Sequence, residues 1–384
     1  MNKFFIAFLL LLCSFSNAMA RKPIVVAADR TSEYLPLLLN KRVGCVVNQS
    51  SLVGERAVHL IDTLLASQVS VKKIFAPEHG FRGTASAGEK INDSKDEQTG
   101  LPIVSLYGDN KMPTAEQMKD LDIVVFDIQD VGVRFYTYLS TLHYVMQACA
   151  RHNVPLMVLD RPNPNGDYID GPVLKPKFKS FVGVHPIPIV HGLTLGELAQ
   201  MINGERWLDG GITCSLTIIP CLNYDHSRSY SLPVRPSPNL PNDVSIRLYP
   251  SLCLFEGTTF SLGRGTDFPF QVVGASGQPS LGKFTFTPTS RPSAKKPPHE
   301  NKLCYGIDLR KIRKPFTLEY IIDFYQKTTQ KDKYFNNFFQ KLAGNDELQA
   351  QIVAGKSEEE IRATWAEDLE RYKLMRKMYL LYED

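Results

Sequence analysis

The chain is poor in the signatures that usually announce a chemistry. It has no CxxC and no His/Cys cluster, so a structural zinc site has no support. It has no GxGxxG after the first strand and no GxxxxGK[ST], so nucleotide binding has none either. Ser51, Ser105 and Ser261 lie in no GxSxG elbow, which argues against a serine esterase. No HExxH pair offers a catalytic metal site, and nothing implies a cofactor. Charge is nearly balanced, with a formal net of only +4, too weak a bias for nucleic acid or an anionic membrane surface. Beyond residue 20 no apolar run has the length of a transmembrane helix.

What is present begins with an export signal. Lys3 precedes an almost wholly apolar run from Phe4 to Phe15, and Ala18-Met19-Ala20 offers the small-x-small pattern of signal cleavage. Residues 1–20 are therefore expected to be removed, leaving a secreted, periplasmic protein that starts at Arg21. A lipid anchor on Cys13 is the alternative, but Leu12 is a poor fit to the small residue such a signal needs. Six cysteines remain, Cys45, Cys149, Cys214, Cys221, Cys253 and Cys304; they sit far apart and mostly in apolar runs, as buried free thiols do.

Strands and helices then alternate. Arg42–Val47, Val71–Ala76, Ile103–Tyr107, Asp122–Ile128, Leu156–Leu159 and Ile212–Ile219 read as strands. Ala57–Leu65, a segment from Thr114, Tyr138–His152 and a segment from Thr194 read as helices. The alternation predicts an α/β fold, an open parallel sheet with helices on both faces. The stretch Pro233–Pro250 is too rich in proline for long regular structure, and Thr287–Lys302 reads as an exposed loop. Ser357 and Glu360 form a capping box ahead of a terminal helix striped by Ile361, Trp365, Leu369 and Tyr372.

The polar residues gather at strand ends. Glu78, Asp127, Asp130, Asp160 and Arg161 all fall at or just past the carboxyl ends of strands, the edge where open α/β sheets bind ligands. The densest segment is Phe75-Ala76-Pro77-Glu78-His79-Gly80-Phe81-Arg82-Gly83. A carboxyl among apolar neighbours suits acid catalysis on a glycosidic oxygen, and the flanking glycines let backbone approach a ligand. Residues 127–138 pack Asp127, Gln129, Asp130, Arg134, Tyr136 and Tyr138 around one bend, a density of directional donors and aromatic faces that suits a sugar. Weaker candidates are His191, Glu256 and Arg264; Arg264 stands between two glycines and could reach an anion. Each alone has a structural reading, such as an ion pair, a helix cap or a packed histidine.

Seven motifs in order carry a resemblance: FAPEHGFRG, SLYG, DIQDVGVRFYTY, LDRPNPNG, HGLTLGELA, PSPNLP and LFEGTTFSLGRGT. Together they resemble the exo-β-N-acetylmuramidases over about residues 42 to 270, with leucine in HGLTLGE where methionine is commoner. The resemblance implies a Rossmann-like domain over residues 21–250, a smaller C-terminal α+β domain over 251–384, and an active site in the cleft between them. It implies release of terminal N-acetylmuramic acid (MurNAc) from the non-reducing end of peptidoglycan fragments, with Glu78 as the catalytic glutamate. Asp127, Asp130, Asp160 and Glu256 are all candidates for the second catalytic group, and the substrate's own 2-acetamido group could attack instead, with a carboxylate orienting it. His79, Arg82, Gln129, Arg134, Tyr136, Asp160, Arg161, Asn163, His191, Glu256 and Arg264 are the expected substrate-binding residues. MurNAc carries a lactyl carboxylate that GlcNAc lacks, and Arg82, Arg134 and Arg264 are the arginines placed to read it.

Overall fold

The computed structural model describes residues 21–82, 89 and 93–384, so the expected leader, Cys13 and Gly83 lie outside the described residues. The strands are β1 (Arg42–Val47), β2 (Leu52–Val53), β3 (Val58–His59), β4 (Ser70–Ala76), β5 (Ser94–Lys95), β6 (Pro102–Ser105), β7 (Ile123–Asp127), β8 (Leu156–Leu159), β9 (Leu216–Ile219), β10 (Val272–Ser276), β11 (Phe284–Phe286) and β12 (Cys304–Asp308). The α-helices are α1 (Thr31–Leu38), α2 (Leu60–Ala66), α3 (Ala115–Met118), α4 (Tyr138–His152), α5 (Leu195–Gly204), α6 (Asp243–Leu252), α7 (Glu319–Lys327), α8 (Phe339–Ala343), α9 (Glu347–Val353), α10 (Glu358–Ala363) and α11 (Ala366–Arg376).

A seven-stranded sheet runs β5-β6-β4-β1-β7-β8-β9. All its pairings are parallel except β5 with β6. From β6 to β9 this is the doubly wound order of a Rossmann-like sheet, as expected. Residue alternation explains why both faces are covered. In β7, Ile123 and Val125 join one apolar core while Val124 and Phe126 join the other. Helix α4 is buried nearly all round, from Tyr138 to His143 and from Val145 to Cys149; it closes with Arg151 and His152 in its last turn and Asn153 in the left-handed region at φ 54, where cation and cap both favour termination.

The crevice where the strand order reverses, between β1 and β7, is stitched shut. Ser51 Oγ donates to the Asp127 carbonyl at 2.5 Å, and Ser50 Oγ accepts from the Gln129 amide at 3.0 Å. A second, antiparallel sheet β10-β12-β11 and helices α7 to α11 make up the C-terminal half. The first core continues into that half through Phe255, Phe324 and Tyr334.

Four local expectations need correction. Val58 and His59 pair with β2, so α2 starts only at Leu60, where the His59 ring accepts from the Ile61 amide at 3.2 Å. The irregular stretch expected from Pro233 to Pro250 ends at Asn242, whose side chain accepts from Ser245 N and caps α6. The terminal helix is broken: the Thr364 hydroxyl turns back to the Ile361 carbonyl at 2.7 Å, and α11 restarts at Ala366. The β9 strand starts at Leu216 rather than Ile212, because the Asn203 side chain takes both the amide and the carbonyl of Cys214, at 2.9 and 2.7 Å. All six cysteines of the described residues are free and buried, as their apolar settings imply.

Candidate active site

A cleft of about 710 Å³ opens beyond the carboxyl end of β4. Glu78, His79, Tyr107 and Tyr136–Tyr138 line it from the large-sheet side; Tyr249, Glu256, Arg264, Phe270 and Ser293–Pro298 line it from the other. Glu78 follows β4 by two residues and is buried. Its Oε2 accepts from the Thr137 hydroxyl at 2.6 Å. Burial pushes the Tyr107 phenol well above its usual range, and the charge and hydrogen bond of Glu78 push it further. Burial does the same to Tyr138, again with Glu78 adding to it. The next two residues, His79 at φ 70 and Gly80 at φ 79, are both left-handed. A histidine in that region is uncommon, and such strain persists where the surroundings hold it, often beside a functional group.

The opposite wall carries a second carboxylate. Glu256 sits in the 3-10 turn Cys253–Gly257 that follows α6. Arg264 Nε and Nη2 both donate to Glu256 Oε1, at 3.0 and 2.5 Å, and the guanidinium lies 5.0 Å over the Phe270 ring. Glu256 Oε2 receives only the Cys253 thiol at 3.8 Å, and Arg264 Nη1 makes no hydrogen bond among the described residues. The pair therefore keeps one acceptor and one donor for a ligand. Between the walls, Tyr136 meets Tyr138 and Tyr249 edge-on at 4.9 and 5.7 Å, and Tyr249 meets Phe270 at 5.1 Å. These edge-to-face contacts fix the ring cluster between the two walls.

Of the expected site residues, Glu78, His79, Tyr136, Glu256 and Arg264 line this cleft. The others do not, for identifiable reasons. Asp127 is fully buried and held by Arg161, whose Nε and Nη2 donate to it at 2.5 and 2.9 Å; each neutralises the other. Asp160 accepts from Thr194 Oγ1, Gly196 N and Tyr382 Oη, so it fastens α5 and the chain's end to the sheet. Gln129 donates to the carbonyls of Asp130 and Pro162. Asn163 donates to the Leu193 carbonyl and accepts from the Asn165 amide. It packs so tightly on Gly132 (φ 77) that a Cβ there would stand 2.0 Å from its Oδ1, which explains the glycine in DIQDVG. Asp130 is buried beneath this loop; Oδ1 accepts from the Gly132 amide and Oδ2 has no partner.

Arg134 departs furthest from its expected place on the cleft wall. It is fully buried and donates to four carbonyls, Pro172 and Ile187 through Nη1, Leu342 and Ala343 through Nη2. Burial lowers its pKa to about 9. His191 is also buried. Its Nδ1 accepts from the Leu193 amide, and burial lowers it to about 3, so it is neutral and structural. Arg82 lies in a neighbouring groove, half exposed, paired with Asp96 at 2.7 Å and stacked on Phe81 at 4.4 Å.

Sequence reasoning did not single out Tyr107, Thr137, Ser237, Asn239, Lys295 or Lys296, which all line the cleft. The first four stand inside the motifs SLYG, DIQDVGVRFYTY and PSPNLP, so a hydroxyl or amide within a motif was the available signal. The lysines lie in the proline-rich loop and carry no local signal. Among the described residues no group of His, Cys, Asp and Glu could hold a metal ion, and no helix is long and apolar enough to cross a membrane.

Comparison with known proteins identifies the family. Residues 43–244 match the family model described as exo-β-N-acetylmuramidase NamZ, N-terminal, and residues 247–382 match its C-terminal counterpart. The peptidoglycan β-N-acetylmuramidase NamZ of Bacillus subtilis is 38% identical over 393 residues, covering 95% of this chain and 93% of that protein. Two crystal structures of DUF1343 family proteins from Bacteroides fragilis are similar in fold. One is 48% identical with a TM-score of 0.87, over 94% of this chain and 100% of that one. The second is 26% identical with a TM-score of 0.82, over 94% and 99%. With both halves matched in order and nearly the whole length aligned, this chain belongs to the exo-β-N-acetylmuramidase family of glycoside hydrolases.

Proposed function

We propose that the cleft hydrolyses the glycosidic bond of a terminal MurNAc at the non-reducing end of peptidoglycan fragments, with Glu78 as general acid. The observation that carries this reading is Glu78 itself: a buried carboxyl at a strand end, hydrogen-bonded by Thr137, opening on an aromatic-lined cleft. In its protonated form Glu78 gives its proton to the leaving-group oxygen as the bond to C1 breaks. A water then supplies hydroxide to C1 and returns a proton to a carboxylate. Glu256 is the reading's second carboxylate, because Asp127, Asp130 and Asp160 lie off the cleft while Glu256 lines it. The uncommitted donor of Arg264 suits the lactyl carboxylate of MurNAc, the anion that separates it from GlcNAc.

The leader-like segment Lys3–Ala20 supports export, so the wall itself is the substrate source. The decisive experiment is incubation with a MurNAc-GlcNAc disaccharide and identification of the released sugars by mass spectrometry. Free MurNAc is expected; an intact disaccharide would defeat the reading.

A further inference from the structure

We infer that the proline-rich strap at residues 287–302 bridges the cleft and confines the enzyme to glycan chain ends. This deepens the glycosidase reading and rests on it. The strap joins β11 to β12 and so belongs to the C-terminal half. It is anchored there by Thr289 N to the Gly265 carbonyl at 2.9 Å and by His299, whose ring nitrogens meet Ser276 Oγ and the Thr259 carbonyl at 2.9 and 2.8 Å. It is seated so closely on the turn carrying Arg264 that a Cβ at Gly265 (φ 80) would stand 2.4 Å from the Thr289 carbonyl oxygen.

The strap also reaches the opposite side of the cleft. Asn239, which is buried, donates to the Ser293 carbonyl at 3.0 Å, and Lys295 pairs with Glu89 at 2.7 Å. The segment before Asn239 is itself fastened to the large-sheet half, since Gln49 and Tyr138 both donate to the Pro236 carbonyl, at 3.0 and 3.1 Å. A continuous chain of contacts thus runs from one half, through the strap, to the other. Four prolines within it, 288, 292, 297 and 298, and the reciprocal Arg291–Ala294 backbone pair stiffen it. An open groove can receive the middle of a polysaccharide laid into it. A bridged one receives only an end.

The test uses glycan strands of defined length, one set ending in MurNAc and one set capped at the same end by GlcNAc. The full-length protein is compared with a variant in which residues 290–296 are replaced by Gly-Ser-Gly. A milder variant, N239A/K295A, removes only the two cross-cleft ties and covers the case in which the replacement does not fold, as judged by its thermal melt. The readout is the ratio of internal fragments to free MurNAc. The wild type should leave capped strands intact, and the variants should raise the ratio at least about tenfold, a barrier change of about 1.4 kcal/mol. An unchanged ratio in the folded variants, or internal cutting of capped strands by the wild type, overturns the inference. Failure of the wild type to release MurNAc from uncapped strands is a different result, and it defeats the glycosidase reading instead.

Discussion

The Thr137 hydroxyl donates a hydrogen bond to Glu78 Oε2 at 2.6 Å, joining residues 59 apart in two separate motifs. The contact fixes the carboxyl's rotamer at the cleft wall. Glu78→Gln preserves shape but removes the transferable proton. Turnover is expected to fall by about 10²–10⁴, with the thermal melt unchanged. A variant that turns over at the wild-type rate would remove Glu78 from the mechanism.

The Glu256–Arg264 pair should separate sugar recognition from chemistry. Arg264→Ala is expected to raise KM for a MurNAc glycoside far more than for the GlcNAc analogue, because only the former brings a carboxylate. Glu256→Gln should lower kcat on both. A double-mutant cycle on stability should show coupling of about 0.5–3 kcal/mol. Equal losses on the two sugars in Arg264→Ala would mean that another group reads the lactyl arm.

Asp127 and Arg161 neutralise each other in the interior, so their role is structural. Asp127→Asn leaves the buried guanidinium uncompensated and should cost about 3–5 kcal/mol. Denaturant melts measure the loss. The folded variant, assayed well below its midpoint, should retain most of its kcat; a collapse of kcat in a fully folded sample would return Asp127 to the catalytic set.

Burial pushes the Asp130 carboxyl from 3.8 up to about 7, although amide hydrogen bonds from Gly132 and Val131 favour its anion. Asp160 is likewise raised by burial, to about 6. A folded-state pKa above the unfolded value means that the stability contributed is fully present below about pH 4 and is lost as pH rises through 6 and 7. The slope is at most about 1.4 kcal/mol per pH unit for each group. Asp130→Asn should flatten this fall, measured by urea unfolding across the range. Identical slopes in wild type and variant would contradict the burial argument.

The proposed export makes a simpler prediction. Mass spectrometry of the protein recovered from the bacterial envelope should find Arg21 at the N-terminus. A lipid-modified Cys13 would show an anchored protein instead.

Much of the fold was legible because period and punctuation agree: α4 and β8 begin and end at the residues their patterns mark. The site was legible only in part. Strand-end chemistry identified which residues gather at one edge of the sheet, but not which way each one faces. Glu78 turns into the cleft, whereas Asp127, Asp160 and Arg161 turn back into the protein and are spent on its own amides, hydroxyls and charges. Nothing local distinguishes these fates, since the partners of Asp160 include Tyr382, 222 residues away. Arg134 misled for the same reason: its four carbonyl partners come from three separate stretches of chain.

Those four carbonyls also bear on how the enzyme works. Two of them, Pro172 and Ile187, belong to the N-terminal half, and two to the last turn of α8 in the C-terminal half. Swinging the halves apart would strip a guanidinium of its acceptors in surroundings with no acid to replace them, at a cost of several kcal/mol. The same four bonds therefore tie the two halves together and oppose a hinge opening between them.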